Sequence, residues 1–580
     1  MNQDLSLIFH FTDKQGDSRP LSFTNPIKVY SAHSIEEVLP QFQRVQEAID
    51  QGYYAAGYVS YEAAPAFESS FLVKDGGTMP LLWFGIFEKP GELPEKSSGA
   101  FQLVDWKAEK NAESYHAGFE TIKSEIEQGN TYQVNYTMRL QSMFEGDDLA
   151  FFDRLKRAQQ SNYSAYLNVG THRILSASPE LFFRWQDGQL ITRPMKGTVK
   201  RGLTLKRDQE NAAWLAASEK NQAENYMIVD LLRNDLGMIA EQGSVHVPQL
   251  KEIEKYPTVW QMTSTITANT KPDTTIIDIF KALFPCGSIT GAPKIKTMEI
   301  ITEIENSPRG VYCGAIGYIT PNSEAVFNVP IRTVVIEAET GKAKYGVGGG
   351  ITWDSELTEE YDEAFLKAKL LSVERPAYKL LESMKLDDGE YDFLNEHIER
   401  MKRSAVYFGF PFPEDNLRNK LLKHAESHPG MQKVRVLLNE KGVFEVTGQA
   451  IKPFNSKIPI QVILAESPIA SGNPFLYHKT TNREVYEKFQ TNNPDFFDVL
   501  LWNEEGFITE FTNGNVVVKI KGDLFTPPIE AGLLAGTFRQ DLITRNIIKE
   551  RVISKDDLTM AEEIWFTNSV RGMLKVHLTF

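Results

Sequence analysis

The segment that says most about how this chain folds and works reads Pro194-Met195-Lys196-Gly197-Thr198. It follows a strand-like run over 189–193, so Lys196 lies just beyond the predicted end of a strand. A lysine in such a place is most often a solvated surface charge. It can also be a desolvated amine that attacks an electrophile, which is how lysine acts as a nucleophile in enzymes. The rest of the chain decides between these interpretations.

The composition is that of a large globular protein. At 580 residues and 42% hydrophobic content, the chain should form several packed domains. The formal net charge of −15 argues against nucleic acid or an anionic membrane as the partner. Cys286 and Cys313 are too few for a disulfide scaffold or a four-ligand zinc site, which predicts two buried thiols. With neither a basic leader nor an apolar run of membrane-spanning length in the sequence, we expect a cytoplasmic protein.

The patterns along the chain predict two domains. Helical spacing over 115–128 and 206–240 is set between strand-like runs, without the regular alternation of a doubly wound sheet. This arrangement predicts an α+β domain over 1–375. The pattern restarts near Arg375 and Pro376, which predicts a second, α/β domain over 376–580.

Six separated motifs in the first domain point to one chemistry. They supply strand amides, a carboxylate at the start of an apolar strand, the Lys196 segment, an acidic helix, a glycine-rich nest for anionic oxygens and a glycine-rich strand before a second acidic helix. Each alone is more often a plain turn or a solvated surface. In chain order they are Gly129-Asn130-Thr131-Tyr132-Gln133-Val134-Asn135-Tyr136, Ser178-Pro179-Glu180-Leu181-Phe182, Lys196-Gly197-Thr198, 224–235, 287–294 and 346–351 with 360–363.

Together, and in this order, the motifs resemble those of the chorismate-utilising enzymes. That family includes anthranilate synthase large subunits, aminodeoxychorismate synthases and the isochorismate and salicylate synthases. The resemblance covers about residues 110–375 and implies two antiparallel sheets packed face to face around the site. Aminodeoxychorismate synthases carry lysine at the position of Lys196, whereas anthranilate synthases carry alanine. The resemblance therefore implies a 4-amino rather than a 2-amino product.

The chemistry explains why a lysine would matter at this position. Chorismate is a diene whose 4-hydroxyl must leave. If the Lys196 amine adds at C2, the 4-hydroxyl departs by an allylic shift, and ammonia then enters at C4 as the amine leaves. The amine must be neutral to attack, which requires a lowered pKa.

The resemblance also implies the roles of other residues in the first domain. Glu180 would be the general acid and base that assists departure of the hydroxyl. Gln261 stands where many relatives have a histidine, and an amide cannot serve as an acid. Glu224, Glu360 and Glu363 would bind Mg²⁺, a hard cation that prefers oxygen ligands. The substrate would be held by Lys294, Arg332, Thr290 and the backbone of Gly348 and Gly349, with Tyr318 nearby.

A second set of motifs lies in the second domain. Each alone is an ordinary loop, strand end or turn, but their order resembles that of the fold-type IV pyridoxal phosphate enzymes, which include branched-chain and D-amino-acid aminotransferases and aminodeoxychorismate lyase. The motifs are His478-Lys479-Thr480-Thr481-Asn482-Arg483, 509–516, 532–539 and Asn395-Glu396-His397-Ile398-Glu399-Arg400.

This second resemblance implies a cofactor site. Lys479 would form a Schiff base with pyridoxal 5′-phosphate and shuttle a proton, and Glu510 would pair with the ring nitrogen. Arg400, Thr537 and amides near Asn515 would take the phosphate. The Gly-Asp-Gly segment that usually precedes the first helix of the family is missing or blurred within 381–392, so an inactive second domain stays open.

The two resemblances imply one combined function. The first domain would make 4-amino-4-deoxychorismate, and the second would eliminate pyruvate from it to give 4-aminobenzoate, a folate precursor. The sequence has no Gly-x-Cys-x-Gly nucleophile segment, so ammonia would come from solution or from a separate glutamine amidotransferase. Two alternatives remain: an anthranilate or isochorismate synthase joined to an unrelated aminotransferase-like domain, and a non-catalytic sensing or scaffold protein.

Overall fold

The computed structural model describes residues 5–13, 16–95, 97, 99–322, 324–372, 377–428, 430–451 and 460–580. The chain divides into two compact units. The first unit comprises Met1–Lys200 and Ala212–Arg375, and the second comprises Arg201–Asn211 and Pro376–Phe580. The predicted boundary at Arg375 and Pro376 lies outside the described residues. The short segment Arg201–Asn211, which the sequence assigned to the first domain, is grouped with the second unit.

The first unit is built on strands β1 to β20. They are β1 (Ser6–Phe11), β2 (Leu21–Thr24), β3 (Lys28–Ala32), β4 (Tyr54–Val59), β5 (Leu82–Phe87), β6 (Phe101–Leu103), β7 (Lys107–Ala108), β8 (Gln133–Gly146), β9 (Tyr163–Asn168), β10 (His172–Ser178), β11 (Leu181–Gln186), β12 (Gln189–Arg193), β13 (Met195–Lys200), β14 (His246–Lys255), β15 (Val259–Asn269), β16 (Gly291–Ala292), β17 (Ala315–Ile319), β18 (Ala325–Asn328), β19 (Thr333–Glu337) and β20 (Lys342–Ile351).

These strands form two antiparallel sheets. One has the order β16-β8-β20-β19-β10-β9-β1-β2, with β6 and β7 also on β8, and the other has the order β13-β15-β12-β11-β18-β17-β4-β5-β3, with β14 on β15. Apolar side chains from both sheets share one buried cluster: Leu7 and Phe9 of β1 pack with Tyr58 of β4 and Ile316 of β17. The sheets therefore pack face to face, as the family resemblance implied, and the predicted α+β class is confirmed.

The helices of the first unit cover the outer faces of these sheets. They are α1 (Ile35–Asp50), α2 (Ala64–Phe67), α3 (Ala112–Glu127), α4 (Asp148–Gln159), α5 (Leu205–Ala217), α6 (Glu219–Gly237), α7 (Ile276–Leu283), α8 (Lys294–Ile304) and α9 (Leu357–Ala368), with α5 shared between the units. The single helix predicted over 206–240 is wrong. Two helices occupy that stretch because the Ser218 side chain accepts a hydrogen bond from the backbone of Asn221 and starts α6 anew.

The second unit contains two sheets. A four-stranded antiparallel sheet has the order β22-β21-β23-β24, and an eight-stranded mixed sheet has the order β27-β26-β25-β32-β31-β28-β29-β30. In the mixed sheet, β25 runs parallel to both β26 and β32. The strands are β21 (Leu380–Asp387), β22 (Glu390–Tyr391), β23 (Gln432–Leu438), β24 (Phe444–Ala450), β25 (Ile460–Leu464), β26 (Asp498–Trp502), β27 (Ile508–Phe511), β28 (Gly514–Ile520), β29 (Asp523–Thr526), β30 (Lys549–Glu550), β31 (Glu563–Asn568) and β32 (Gly572–Thr579). The helices are α10 (Leu394–Phe408), α11 (Glu414–Ser427), α12 (Glu484–Asn492), α13 (Thr537–Thr544) and α14 (Lys555–Thr559).

The structure also bears on the cysteines and on membrane-spanning helices. Cys286 and Cys313 are both buried, unbridged thiols, as predicted. Within the described ranges, every helix is too short or too polar to cross a membrane.

Candidate active sites

A cavity of about 470 Å³ lies in the first unit. Residues of β13, β20, α5, α6 and α9 line it, so both sheets and three helices contribute. The structure brings together eight of the residues predicted from sequence. They are Glu180, Lys196, Glu224, Arg332, Gly348, Gly349, Glu360 and Glu363.

A β-bulge positions Lys196. Strand β13 pairs with β15 at Met195 and again at Thr198, and the register shifts between these two pairs. Gly197 within the bulge has φ of +87°, a left-handed conformation that glycine adopts without strain. A Cβ atom there would also lie 2.9 Å from Oδ1 of Asn221. The bulge therefore requires glycine after the lysine, which explains the Lys-Gly pair in the sequence.

The Lys196 amine is buried beside two carboxylates. Burial lowers its pKa below the ordinary value, and Glu224 and Glu180 partly offset that shift. Space around the amine is tight, because a Cβ atom on Gly350 would lie 3.0 Å from Nζ of Lys196 and 2.0 Å from Nε2 of Gln133. A desolvated lysine in such a pocket has the environment that a nucleophilic amine needs.

Glu180 is a buried acid with one strong hydrogen bond. The Ser288 hydroxyl donates to its Oε1 atom over 2.6 Å. Burial raises the pKa of Glu180 to about 7, against the opposing effects of Ser288 and Lys196. A carboxyl group with this pKa can exist in both protonation states near neutral pH, as a general acid and base must.

The three predicted metal ligands surround one part of the cavity. Burial raises the pKa of both Glu224 and Glu360, whereas the Lys367 ammonium lowers that of Glu363. Lys367 lies 2.8 Å from Glu363, and the Ser355 hydroxyl donates to Glu360 over 2.6 Å. Carboxylate oxygens suit Mg²⁺ by chemistry. In the part of the chain that the structure describes, however, no three His, Cys, Asp or Glu side chains are already close enough to hold a metal.

The glycines of β20 let α9 approach the strand. A Cβ atom on Gly349 would lie 3.1 Å from Oε2 of Glu360 and 4.0 Å from Oε1 of Glu363. Lys367 also donates a hydrogen bond of 2.8 Å to the carbonyl of Gly348. The glycine-rich strand β20 and the acidic helix α9, which are separate motifs in the sequence, thus form one wall of the cavity.

Arg332 and Gln261 also line the cavity. Arg332 has φ of +53° and donates a hydrogen bond to Gln159, and burial lowers the pKa of its guanidinium. The Gln261 amide donates to the carbonyl of Gly197 over 2.8 Å and accepts from the Thr198 hydroxyl over 3.0 Å. The Gln261 amide therefore braces the bulge after Lys196.

Three residues predicted to contact the substrate lie outside this cavity lining. The Lys294 ammonium is paired with Asp235 at 2.9 Å, and both side chains are buried. The Thr290 hydroxyl bonds to main-chain carbonyls of its own turn. Tyr318 packs against aromatic rings between the two sheets, with its ring stacked on that of Phe11. Their contacts with the substrate stay predictions.

Sequence reasoning overlooked several residues of this cavity. Ser288 lay within a quoted motif without a role, and Lys367 follows Glu363 by four residues, which is typical of a solvated helical pair. The overlooked cavity residues include Asn135, Lys220, Asn221, Ser288 and Lys367.

A second cavity, of about 670 Å³, lies in the second unit. All five residues predicted for the cofactor site line it, although they come from distant parts of that unit. They are Arg400, Lys479, Glu510, Asn515 and Thr537.

Lys479 is held through its backbone. Its carbonyl accepts a hydrogen bond of 2.9 Å from the backbone of Leu381, and the backbone of Thr481 donates to the carbonyl of Lys379 over 2.9 Å. Burial lowers the pKa of the Lys479 amine to about 7, with a further contribution from Arg400. Near neutral pH, a large fraction of this lysine is a neutral amine able to react with an aldehyde.

Glu510 is buried between two hydrogen-bond donors. The Tyr486 hydroxyl lies 2.8 Å from Oε1, and the Asn515 amide lies 3.3 Å from Oε2. Burial raises the pKa of Glu510 to about 8. A cationic ring nitrogen beside this carboxyl would favour its charged form, so the environment suits the predicted partner of a pyridinium group. Tyr486 was not predicted.

The predicted phosphate end contains an ion network. Glu382 accepts two hydrogen bonds of 2.7 Å from Arg400 and one of 2.7 Å from His397. Nη1 of Arg400 donates to the carbonyl of Ala535, and the Thr537 hydroxyl lies 3.3 Å from His397. Glu382, which was not predicted from the sequence, holds the guanidinium of Arg400, a residue that lines the cavity.

A helix start completes the phosphate end. Helix α13 begins at Thr537 after Gly536, where a Cβ atom would lie 2.0 Å from Oδ1 of Asn515. Only glycine fits there, and the free backbone amides of a helix start bind anions. A cationic side chain, a helix start and an amine with a lowered pKa in one cavity fit pyridoxal phosphate.

Comparisons with known proteins match the two parts of the chain to two families. Residues 89–372 match the family profile described as chorismate binding enzyme, and residues 379–578 match that described as amino-transferase class IV. The chain is 42% identical over 285 residues to aminodeoxychorismate synthase component 1 of Salmonella typhimurium, covering 49% of this chain and 61% of that protein. It spans about three fifths of that relative's length.

Two further relatives extend the match. Anthranilate synthase component 1 of Methanothermobacter thermautotrophicus is 33% identical over 369 residues, covering 59% of this chain and 77% of that protein. The crystal structure of anthranilate synthase component I from Streptococcus pneumoniae superposes with a TM-score of 0.52 at 25% identity, covering 64% of this chain and 93% of that one. The chain therefore belongs to the chorismate binding enzymes, and it carries a class IV amino-transferase domain after its chorismate binding domain.

Proposed function

We propose that the first unit converts chorismate and ammonia into 4-amino-4-deoxychorismate, and that the second unit converts this product into 4-aminobenzoate and pyruvate. The observation that carries the proposal is the buried Lys196 amine, which lies beside the buried acid Glu180 in one cavity. The class IV domain supports the choice, because a lyase partner makes sense only for a 4-amino product.

The first reaction is a substitution without redox change. The neutral Lys196 amine adds to C2 of chorismate, the double bonds shift, and the C4–O bond breaks. Ammonia then adds at C4, the double bonds shift back, and the C2–N bond to Lys196 breaks. Chorismate and ammonia thus give 4-amino-4-deoxychorismate and water, and the lysine returns to its starting state.

Glu180 moves the proton in this scheme. With a pKa of about 7, its carboxyl can protonate the departing 4-hydroxyl, which leaves as water. The resulting carboxylate is stabilised by the Ser288 hydroxyl and can take a proton from the incoming ammonia. Glu180 is thereby restored for the next turnover.

The three carboxylates on α6 and α9 would hold a magnesium ion. Glu224, Glu360 and Glu363 supply carboxylate oxygens, and the ion would neutralise their charge next to an anionic substrate. Glu363 must then release Lys367, its present partner at 2.8 Å. The freed Lys367 and Arg332, with Lys220, are cations lining this cavity that could pair with substrate carboxylates.

The second unit would use pyridoxal phosphate, which supplies an electron sink when bound. Lys479 would hold the aldehyde carbon of pyridoxal phosphate, and its Nζ atom would then carry a proton. Glu510 would hold the ring nitrogen, and Arg400 with the start of α13 would hold the phosphate. Removal of the proton from the amino-bearing carbon, followed by loss of pyruvate, leaves the aromatic ring of 4-aminobenzoate.

The ammonia would come from a separate glutamine amidotransferase. The sequence carries no Gly-x-Cys-x-Gly segment, and Cys286 is a buried thiol whose pKa burial raises to about 12. Such a thiol is a poor nucleophile. The naming of the Salmonella relative as component 1 supports a partner protein.

A product assay tests the proposal. The purified chain would be incubated with chorismate, Mg²⁺ and ammonium, with and without pyridoxal phosphate. We expect 4-amino-4-deoxychorismate without the cofactor and 4-aminobenzoate with it, and Lys479→Ala should stop at the first product. Formation of 2-aminobenzoate or isochorismate would overturn the assignment of the first unit. Accumulation of the first product with the cofactor present would overturn that of the second.

A further inference from the structure

One short segment of the chain belongs to the second unit although it is far from that unit in sequence. Residues Arg201–Asn211 directly follow β13, the strand of Lys196, and the chain then returns to the first unit at Ala212. We call Arg201–Asn211 the 201 segment.

The 201 segment is organised around a buried ion pair. The Arg201 guanidinium donates to both carboxylate oxygens of Asp208, over 2.6 and 2.7 Å, and both side chains are buried. The backbone of Gly202 donates to the same carboxylate over 3.0 Å. A Cβ atom on Gly202 would lie 2.2 Å from the backbone nitrogen of Asp208, so the loop closes tightly. A bidentate pair of this kind fixes geometry.

Arg201 connects the segment to Tyr407 at the end of α10. One of its nitrogens donates to the Tyr407 carbonyl over 2.8 Å, and its guanidinium lies 4.5 Å from the centre of the Tyr407 ring. The same ring is stacked on that of His478 at 4.2 Å with an angle of 26°, and it also lies edge-on to the ring of Phe408. The three side chains therefore form a buried stack that ends at His478.

His478 is fixed on several sides and precedes Lys479. Its Nδ1 atom lies 3.0 Å from the Ser404 hydroxyl, and the backbone of Leu203 in the 201 segment approaches its ring. Burial lowers the pKa of His478 to about 4, so the ring is neutral at physiological pH and packs as an aromatic group. Lys479 is thus held by β21 through its carbonyl and by this stack through the preceding residue.

We infer that Arg201 and Asp208 are positioning residues for Lys479, acting through Tyr407 and His478. This inference rests on the proposed role of Lys479 as the residue that holds pyridoxal phosphate. A site lysine must be held to a fraction of an ångström by the residues around it, and those supports lie outside the cavity. The support here is drawn from a segment far from the second unit in sequence.

Substitutions in the full-length chain test this inference. Arg201→Lys keeps the charge but loses the two-pronged pairing and the flat stacking surface, and Asp208→Asn keeps the shape but loses the charge. Tyr407→Leu removes the ring between Arg201 and His478 and leaves the ion pair in place. Arg207→Ala is the matched control, because Arg207 lies in the same segment but makes an exposed pair with Glu210.

Two readouts separate positioning from general stability. The first is the dissociation constant of pyridoxal phosphate, measured from its visible absorbance on the protein. The second is the pH midpoint for chemical modification of Lys479 in the cofactor-free chain, measured by mass spectrometry. We expect the first three variants to weaken binding about tenfold or more. We also expect their midpoint to rise about one pH unit or more, because water reaches the amine. Arg207→Ala should stay within about twofold of the parent in binding.

The outcomes are distinct. Parent-like binding and an unchanged midpoint in the variants that fold would overturn the inference. Weaker binding with an unchanged midpoint would also overturn it, because that pattern indicates general destabilisation. If one variant fails to show a cooperative thermal transition, the other two decide. If the parent chain itself gains no absorbance that depends on Lys479, the proposed function of the second unit fails instead.

Discussion

The Ser288 hydroxyl donates a 2.6 Å hydrogen bond to the Glu180 carboxylate, and both side chains are buried. This bond favours the charged form of Glu180 and holds its pKa lower than burial alone would. Ser288→Ala should therefore raise that pKa above about 7. The alkaline limb of the pH profile for the first reaction should move upward by about one unit. Ser264→Ala, which removes another buried hydroxyl of the first unit, is the control and should leave the limb in place. A limb that stays or moves downward after Ser288→Ala would contradict this role.

Glu180 should also lower stability at alkaline pH. Its folded pKa of about 7 exceeds the unfolded value of 4.5, so the folded chain binds more protons between these values. The free energy of unfolding contributed by this group therefore falls as pH rises from 4.5 through 7. Glu180→Gln should abolish the first reaction yet stabilise the chain at pH 8 by about 1–3 kcal/mol, with little effect near pH 4. Thermal unfolding at the two pH values measures this. If Glu180→Gln changed the stability equally at pH 8 and at pH 4, the pKa of Glu180 would not be raised in the folded chain.

Gly350 is required by the packing around the Lys196 amine. The added methyl group of Gly350→Ala would lie 2.0 Å from the Gln133 amide and 3.0 Å from the lysine nitrogen. We expect this variant to reduce the first reaction about 100-fold, because displacing a reacting group by about 1 Å has that effect. Conversion of supplied 4-amino-4-deoxychorismate by the second unit should be unchanged. Gly237→Ala, on a helix with open space at that position, is the control.

The Lys479 amine should react with pyridoxal phosphate near neutral pH. Because its pKa is lowered to about 7, the neutral fraction rises through pH 7 and not through the ordinary lysine range. The rate of cofactor binding to the stripped chain should follow that fraction, with a midpoint near 7 and a plateau above pH 8. Stopped-flow absorbance measures the profile, and Lys479→Ala supplies the background. A midpoint above about 9 would show an unperturbed amine.

Local patterns in the sequence predicted much of this fold. Strand-like alternation predicted β12 and part of the glycine-rich strand β20, because this signal depends on neighbouring residues. Lys196 was placed just beyond a strand, whereas it lies within the next strand, β13. The helix over 206–240 was predicted as one element, since Ser218 has helical neighbours on both sides. The helix is interrupted because the Ser218 side chain accepts a hydrogen bond from the backbone of Asn221. A serine within a helical pattern rarely interrupts a helix in this way.

The parts of the sites that were missed depend on contacts between distant residues. Ser288 reaches Glu180 across 108 positions, and Glu382 reaches Arg400 across 18. The family resemblance implied that Lys294 binds the substrate, and in the fold its ammonium is paired with Asp235. A single sequence does not reveal such pairs, because either partner alone has the pattern of an ordinary surface charge.

The most direct test of the account is the product that Lys196→Ala makes from chorismate, Mg²⁺ and ammonium. Without the amine, ammonia cannot be directed to C4 by way of an adduct at C2. Lys200→Ala, at the other end of the same strand, is the control. The account predicts that Lys196→Ala loses the 4-amino product and forms a trace of 2-amino product, whereas Lys200→Ala behaves like the parent. Full retention of the 4-amino product by Lys196→Ala would contradict the covalent role of this lysine.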